Sequence, residues 1–114
     1  MKSLINIIVF LILSPNALGQ SFKDEISIVQ FSAPFTKEAE ISLKTFDDYN
    51  IYTFSIVEKK EVFKKENIKY LPTIILYNDG EEVMRIESGI SLKLPEDTIE
   101  LLGKEIDEII ESKF

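Results

Sequence analysis

A short stretch from Ser32 to Thr36 holds the side chains whose types and spacing come nearest to chemistry. It reads Ser-Ala-Pro-Phe-Thr, and it stands between an apolar run and residues with helical spacing. That spacing places three apolar residues on one helix face, Ala39, Leu43 and Phe46. Thr36 is then a candidate N-cap, and at such a helix end backbone N–H groups favour an anion such as a carboxylate. The alternative is that the threonine caps the helix and nothing more.

The residue types that the chain lacks exclude much catalytic chemistry. There is no cysteine, no histidine and no tryptophan among the 114 residues. Nucleophilic sites that pair histidine with serine or cysteine are excluded, as are zinc sites built on imidazole or thiolate. Because thiol–disulfide exchange needs a thiolate, the chain cannot perform it with its own side chains. The acidic stretch from Asp79 to Glu82 matches no calcium-loop spacing. Because cysteine and histidine are absent as well, we expect no metal, no cofactor and no enzymatic activity.

The first 19 residues have the pattern of a secretory signal peptide. Lys2 supplies a positive charge, residues 4–13 are apolar except for Asn6, and residues 17–19 offer small side chains for cleavage. The apolar run is shorter than the roughly 20 residues that a membrane-spanning helix needs. We therefore predict a signal peptide at 1–19, a domain at 20–114, and a periplasmic or secreted location. An uncleaved membrane anchor or a buried N-terminal strand is the alternative.

The charge of the chain limits its partners. Thirteen basic residues face 20 acidic ones, for a formal net charge of −7. Loss of Lys2 with the signal would leave 12 basic residues and a charge of −8. Contacts to phosphate groups do not hold so acidic a chain on nucleic acid, and an anionic membrane does not attract it. We expect neither as a partner of the mature chain.

Hydropathy and turn residues predict four strands after the signal. Each is a short run rich in β-branched and aromatic residues: Ile26–Phe31, Ile51–Val57, Thr73–Tyr77 and Val83–Ile86. Asn78-Asp79-Gly80 predicts a hairpin turn between the last two. Since a helix separates the first two, these should be parallel.

Three helices complete the predicted order β-α-β-α-β-β-α. The first should run from Thr36 to Asn50, and the second over Glu58–Glu66, with Asn67 as a left-handed cap. The third should open at Pro95. It carries an apolar stripe at Ile99, Leu102, Ile106, Ile109 and Ile110.

In this order and spacing, three segments resemble the thioredoxin family over essentially the whole chain after the signal. Residues 29–39 resemble the strand and turn that lead into the family's active-site helix, and residues 67–73 resemble its cis-proline loop. Residues 74–81, followed by Gly89, resemble its closing hairpin. The resemblance implies an α/β, thioredoxin-like fold with a four-stranded mixed sheet of order 2-1-3-4 and helices on both faces.

The family's redox residues are all replaced. By the resemblance, its paired cysteines fall on Thr36 and Ala39, and the tryptophan before the first falls on Phe35. Its buried acid falls on Gln30, and its helix-kinking proline falls near Lys44. The chain is therefore expected to be redox-inactive. What it keeps of the family's pattern is Ala33, Pro34, an aromatic side chain at position 35, and Leu71-Pro72-Thr73.

The resemblance also implies that a cis-proline loop lies beside the helix N-terminus. Its backbone can pair with an extended peptide, and that mode does not need the thiols. We therefore take Phe35, Thr36, Leu71 and Pro72 as candidate partner-binding residues of an exported module that docks on a protein or peptide. The other reading is purely structural: Phe35 packs and Pro72 shapes the loop. Binding of an anionic cosubstrate such as glutathione, with Thr36 in support, is a further alternative.

The second predicted strand suggests another route to a partner. Only residues 21–25 precede the first strand after the signal, so the extra N-terminal strand and helix of the family would be missing. Strand 51–57 would then be an edge without proline or charge, which natural edges usually have. The alternative function is a structural or assembly subunit that forms a homo-oligomer or joins a complex through this edge. The opposing reading is that the N-terminal residues and Tyr52 cover the gap.

Overall fold

The computed structural model describes residues 21–113, which form a four-stranded mixed sheet with helices on both faces. In chain order the strands are β1 (Ile26–Ser32), β2 (Asn50–Ser55), β3 (Thr73–Asn78) and β4 (Glu81–Glu87). Their order in the sheet is β2-β1-β3-β4, with β1 parallel to β2 and antiparallel to β3, and β3 antiparallel to β4. The predicted strands, sheet order and directions are confirmed. The predicted signal peptide lies outside the described residues.

The central strand β1 is buried along its whole length, because both faces of the sheet are covered. Successive side chains point to opposite faces, so the strand feeds two separate cores. Ile28 joins a cluster with residues of β3 and the C-terminal helix. Val29 and Phe31 join a second, largely aromatic cluster on the other face. β1 therefore offers neither face to solvent, as a doubly covered strand does, and its three polar residues, Ser27, Gln30 and Ser32, are buried as well.

The hairpin between β3 and β4 has the predicted turn. Asp79 and Gly80 both have positive φ, 52° and 93°, as the two central residues of a type I′ turn do. Their N–H groups donate to the carbonyls of Glu25 and Lys23, each at 2.9 Å. The turn therefore also holds the segment that leads into β1.

The connection from β1 to β2 differs from the prediction. No α-helix runs from Thr36 to Asn50. Two 3₁₀ helices, Pro34–Ala39 and Lys44–Phe46, are separated by extended backbone that starts at Glu40. Of the three residues of the predicted helix face, Leu43 and Phe46 are buried in the same core, whereas Ala39 is half-buried and lies outside that cluster. The helical spacing therefore marked two inward-facing residues correctly but not the backbone between them.

Helix α1 (Lys60–Lys65) covers the aromatic cluster. Phe63 is its buried residue, and its ring packs edge-on against Phe31 at a centroid distance of 5.1 Å. Asn67 ends the helix with a φ of 58°, and the Ile68 N–H donates to the Phe63 carbonyl at 3.0 Å. These are the features of a Schellman motif, so the predicted left-handed cap is confirmed.

Helix α2 (Thr98–Lys113) covers the opposite face. It begins three residues after Pro95, whose carbonyl accepts hydrogen bonds from the Thr98 hydroxyl (2.6 Å) and N–H (3.2 Å). The predicted stripe packs as expected: Leu102, Ile106 and Ile109 are buried, and Ile99 and Ile110 pack against them. Among residues 21–113, no helix combines the length and apolar character needed to cross a membrane.

Candidate partner-binding site

Strand register brings three segments together at one end of the sheet. Phe31 pairs with Thr73, and Thr73 pairs with Glu87. The chain after β1, the chain before β3 and the chain after β4 therefore all emerge at this end. The Ser88 N–H donates to the Pro72 carbonyl at 3.2 Å and joins two of them directly. We call the surface made by residues 33–36, 70–72 and 88–92 the loop end.

Phe35 and Thr36, neighbours in sequence, have opposite environments at the loop end. Phe35 is 74% exposed, whereas Thr36 is 3% exposed. The 3₁₀ helix begins at Pro34 with Ala33 as its N-cap, so the prediction that Thr36 is the N-cap was wrong. Phe35 is available to a partner, and Thr36 is not.

The Thr36 hydroxyl is fully engaged within its own turn. It accepts a hydrogen bond from the Ala33 N–H at 3.1 Å and lies 3.1 Å from the Ser32 hydroxyl. The Thr36 N–H in turn donates to the Ala33 carbonyl at 3.0 Å. These contacts close the turn that follows β1, and they leave no threonine oxygen facing solvent for an anion.

Leu71 and Pro72 are joined by a cis peptide bond. Pro72 is buried, and its carbonyl accepts the Ser88 N–H. Leu71 is half-buried and packs against the aromatic cluster. Tyr70 is partly exposed, and its carbonyl accepts the Thr73 hydroxyl at 2.7 Å.

Leu71 differs from its neighbours in its backbone. Within residues 21–113, no hydrogen bond uses the Leu71 N–H or the Leu71 carbonyl. Among the described residues, one donor and one acceptor of the main chain are therefore unpaired at the loop end, beside the hydrogen-bonded carbonyls of Tyr70 and Pro72.

Two apolar side chains that the sequence analysis did not single out belong to the loop end. Ile90 is 94% exposed and Leu92 is 44% exposed, in the segment that follows Ser88. Gly89 and Leu92 both have positive φ, 71° and 62°, so this segment turns sharply. The available signal was a pair of large apolar residues that fit neither a strand period nor a helix period.

Gln30, on the position of the family's buried acid, is 1% exposed. Its side-chain amide donates to the Ile41 carbonyl and accepts the Ile41 N–H, each at 2.9 Å. A carboxylate could accept but not donate, so the amide is suited to hold both polar groups of one backbone unit. This side chain has a structural role, and unlike a carboxyl group its amide has no acidic proton to give or take near neutral pH.

The most connected polar group of the described residues lies away from the loop end. Glu66 accepts the Tyr77 hydroxyl at 2.8 Å and pairs with the Lys23 ammonium at 2.9 Å. Arg85 donates to the Glu66 carbonyl at 2.8 Å and forms a two-bond pair with Glu82. Burial, and then the hydrogen bond to Glu66, raise the pKa of Tyr77, while the bond to Glu82 raises the pKa of Arg85. Each charge is paired, so the network ties helix, sheet and N-terminal segment together.

The described part of the chain contains no group of three or more acidic, histidine or cysteine side chains arranged to hold a metal ion. No protein-family model matches the sequence, and no curated protein matches it significantly.

The fold of this chain is similar to those of several solved structures. The structure of thioredoxin from Trypanosoma brucei brucei matches with a TM-score of 0.57 and 14% identity, over 86% of this chain and 87% of that one. Thioredoxin from Schistosoma mansoni matches with a TM-score of 0.53 and 22% identity, over 66% and 75%. Thioredoxin from Fasciola hepatica matches with a TM-score of 0.50 and 20% identity, over 64% and 77%. Together with the sheet order and the helices on both faces, these likenesses show that the chain has the thioredoxin-like fold, in a form that contains no cysteine.

Proposed function

We propose that the protein is an exported, redox-inactive binding module that takes an extended segment of a partner protein at the loop end. The observation that carries the proposal is the free N–H and carbonyl of Leu71, next along the chain to a buried cis-proline. Exposed Phe35 and Ile90 lie on the same surface. Export is proposed from the pattern of residues 1–19.

The free backbone groups define the kind of ligand. An extended peptide would accept the Leu71 N–H with one carbonyl and donate one N–H to the Leu71 carbonyl, as a strand added to a sheet does. Apolar side chains of the same peptide would cover Phe35 and Ile90, which removes apolar area from water. Main-chain bonds would supply affinity for many sequences, and the apolar contacts would select among them.

Two alternatives have less support. Thiol–disulfide exchange would need sulfur from another molecule, because the chain contains no cysteine. Binding of an anionic cosubstrate through Thr36 would need an accessible hydroxyl, and this hydroxyl is buried in bonds to Ala33 and Ser32.

Selection of peptides from a displayed random library, followed by calorimetry, tests the proposal. We expect the selected peptides to bind the Phe35→Ser and Ile90→Ser variants at least about tenfold more weakly, which corresponds to about 1.4 kcal/mol. Val83→Ser is the matched control, since Val83 is also apolar, is 37% exposed and lies near the β3–β4 turn at the opposite end of the sheet. All three substitutions are at exposed positions, so the fold should be retained, which circular dichroism checks.

A peptide in which one amide is replaced by an ester tests the main-chain contact. An ester lacks the N–H, so one such replacement along the peptide should weaken binding if the Leu71 carbonyl is the acceptor. Equal binding of every ester peptide, or equal loss in the Val83→Ser control, contradicts the proposal.

A further inference from the structure

Among residues 21–113, strand β2 pairs with β1 alone and is an edge of the sheet. The Ile56 N–H donates to the Ser32 carbonyl at 3.0 Å. This bond shows which residues of β2 direct their backbone groups toward β1, because that direction alternates from one residue to the next. Tyr52 and Phe54 therefore direct their N–H and carbonyl groups toward β1. Ile51, Thr53 and Ser55 direct theirs outward.

Not all of the outward groups are free. The Ser55 carbonyl accepts the N–H groups of Glu58 and Lys59, at 3.0 and 2.9 Å, in the turn that follows the strand. Ile51 and Thr53 are left with two donors and two acceptors that face away from the sheet. The edge carries none of the usual defences, since residues 50–55 include no charge, no proline and no glycine.

We propose that two copies of this chain pair edge to edge, antiparallel, through β2. The register that uses every free group of Ile51 and Thr53 places Ile51 of one copy opposite Thr53 of the other. Both residues then exchange N–H and carbonyl bonds, and two-fold symmetry repeats the exchange. The axis passes at Tyr52, so Tyr52 of each copy lies opposite Tyr52 of the other, and two four-stranded sheets become one of eight strands.

The charges beside the strand agree with an antiparallel second copy. Asp47 and Asp48 precede β2, and Glu58, Lys59 and Lys60 follow it, all of them exposed. An antiparallel arrangement brings the acidic residues before β2 of one copy alongside the residues after β2 of the other, where two lysines outnumber one glutamate. A parallel arrangement would bring like charges together, which disfavours association.

This inference does not depend on the proposed peptide site, because β2 and the loop end are different surfaces. The two can also fail separately: variants at Phe35 and Ile90 test one, and variants in β2 test the other.

Sedimentation velocity on the protein purified as it accumulates in the cell or its medium, with its N-terminus identified by intact mass, tests the pairing. We expect a concentration-dependent monomer–dimer equilibrium that weakens as salt is added, since salt screens the end charges. Thr53→Pro should weaken the dimer at least about tenfold, because it removes an outward donor and no bond to β1. A proline at residue 45 would fall inside a 3₁₀ helix, so Thr45→Pro is not a suitable control. The matched pair is instead Thr53→Lys and Thr45→Lys. Both threonines are exposed, but only Thr53 lies in β2.

A single introduced cysteine provides a second readout that does not rely on weakening the dimer. Opposed residues of the type expected at Tyr52 have Cα atoms about 4.5 Å apart, within the range that a disulfide spans. In a chain with no other cysteine, Tyr52→Cys should form a covalent dimer on mild oxidation, and Thr45→Cys should not.

Three results overturn the proposal. The first is a monomer at every concentration with no cross-link at position 52. The second is a dimer that survives Thr53→Pro and does not cross-link there, which places the interface elsewhere. The third is slow hydrogen exchange at the Ile51 and Thr53 amides under conditions where the protein is monomeric, which would mean that the edge is covered by the chain's own residues.

Discussion

The Gln30 side chain binds both backbone polar groups of Ile41, eleven residues further along the chain, at 2.9 Å each. These bonds take the place of the helical hydrogen bonds that a continuous helix would have supplied to residue 41. The link between the two 3₁₀ helices therefore keeps the part-buried backbone groups of Ile41 hydrogen-bonded without a helix.

Replacement of Gln30 should destabilise the fold. Gln30→Leu leaves the N–H and the carbonyl of Ile41 without partners, and because both hydrogen bonds are only part-buried the loss should be roughly 1–3 kcal/mol in total. Urea unfolding followed by circular dichroism measures it. A loss below about 1 kcal/mol would contradict the role assigned to the amide.

Gln30→Glu makes a sharper comparison. Its carboxylate would be buried and could not donate to the Ile41 carbonyl, whereas its protonated form could both donate and accept. Burial raises the pKa of such a group, so the deficit relative to wild type should shrink as the pH falls from neutral toward about 4. A deficit that stays constant with pH would argue against burial of this side chain.

Tyr77 should make the protein sensitive to alkaline pH. Burial, and then the hydrogen bond to Glu66, raise the pKa of its hydroxyl, so the folded state favours the neutral form. This contribution to stability is complete below the ordinary tyrosine pKa of about 10 and is lost as the pH rises above that value. Titration by tyrosinate absorbance should show the ionisation of one of the four tyrosines only together with unfolding.

Tyr77→Phe provides the control for that experiment. It should cost about 1 kcal/mol at neutral pH through the lost hydrogen bond, and it should reduce the fall in stability above pH 10. An unchanged alkaline slope would assign the pH dependence to other groups.

Phe22 should be an integral part of the fold despite its position before β1. It is 7% exposed, and its ring meets those of Phe54 and Tyr77 edge-on at 5.3 and 5.8 Å. Phe22→Ala should destabilise the protein by about 3–5 kcal/mol, as core phenylalanine truncations do. Phe35→Ala is the matched control, because this exposed ring should cost less than about 0.5 kcal/mol. Equal effects of the two would show that residue 22 is not packed as described.

Substitutions of Asn67 should show how much the left-handed cap of helix α1 contributes to stability. The φ of 58° at Asn67 suits glycine and asparagine, so Asn67→Ala should cost about 1 kcal/mol and Asn67→Gly should be close to neutral. Thermal unfolding of the two variants measures the difference. Similar stabilities for alanine and glycine would mean that the left-handed cap contributes little.

Much of the fold could be predicted because local patterns and sheet geometry agree. The Asn78-Asp79-Gly80 turn and the stripe of the last helix each depend on neighbours within a few residues, and both are present. The connection after β1 could not be predicted in the same way. The spacing of Leu43 and Phe46 reports burial, while the backbone between them depends on Gln30, a partner distant in sequence.

The candidate site was predicted less completely than the fold. Phe35 and Leu71 reach the surface or its margin, but the inward turn of the Thr36 hydroxyl depends on Ser32 and Ala33 and has no sequence signature. Ile90 belongs to the loop end only because strand register brings the end of β4 beside Pro72.

The hydrogen bonds from the Asp79-Gly80 turn to Lys23 and Glu25 hold residues 23–25 at one end of the sheet. They fasten the chain at the start of β1, while the loop end lies beyond its last residue, roughly 20 Å away along a seven-residue strand. A label attached at the exposed Glu25 would therefore lie at the end of the sheet opposite Phe35 and Ile90, and it would leave that apolar surface uncovered.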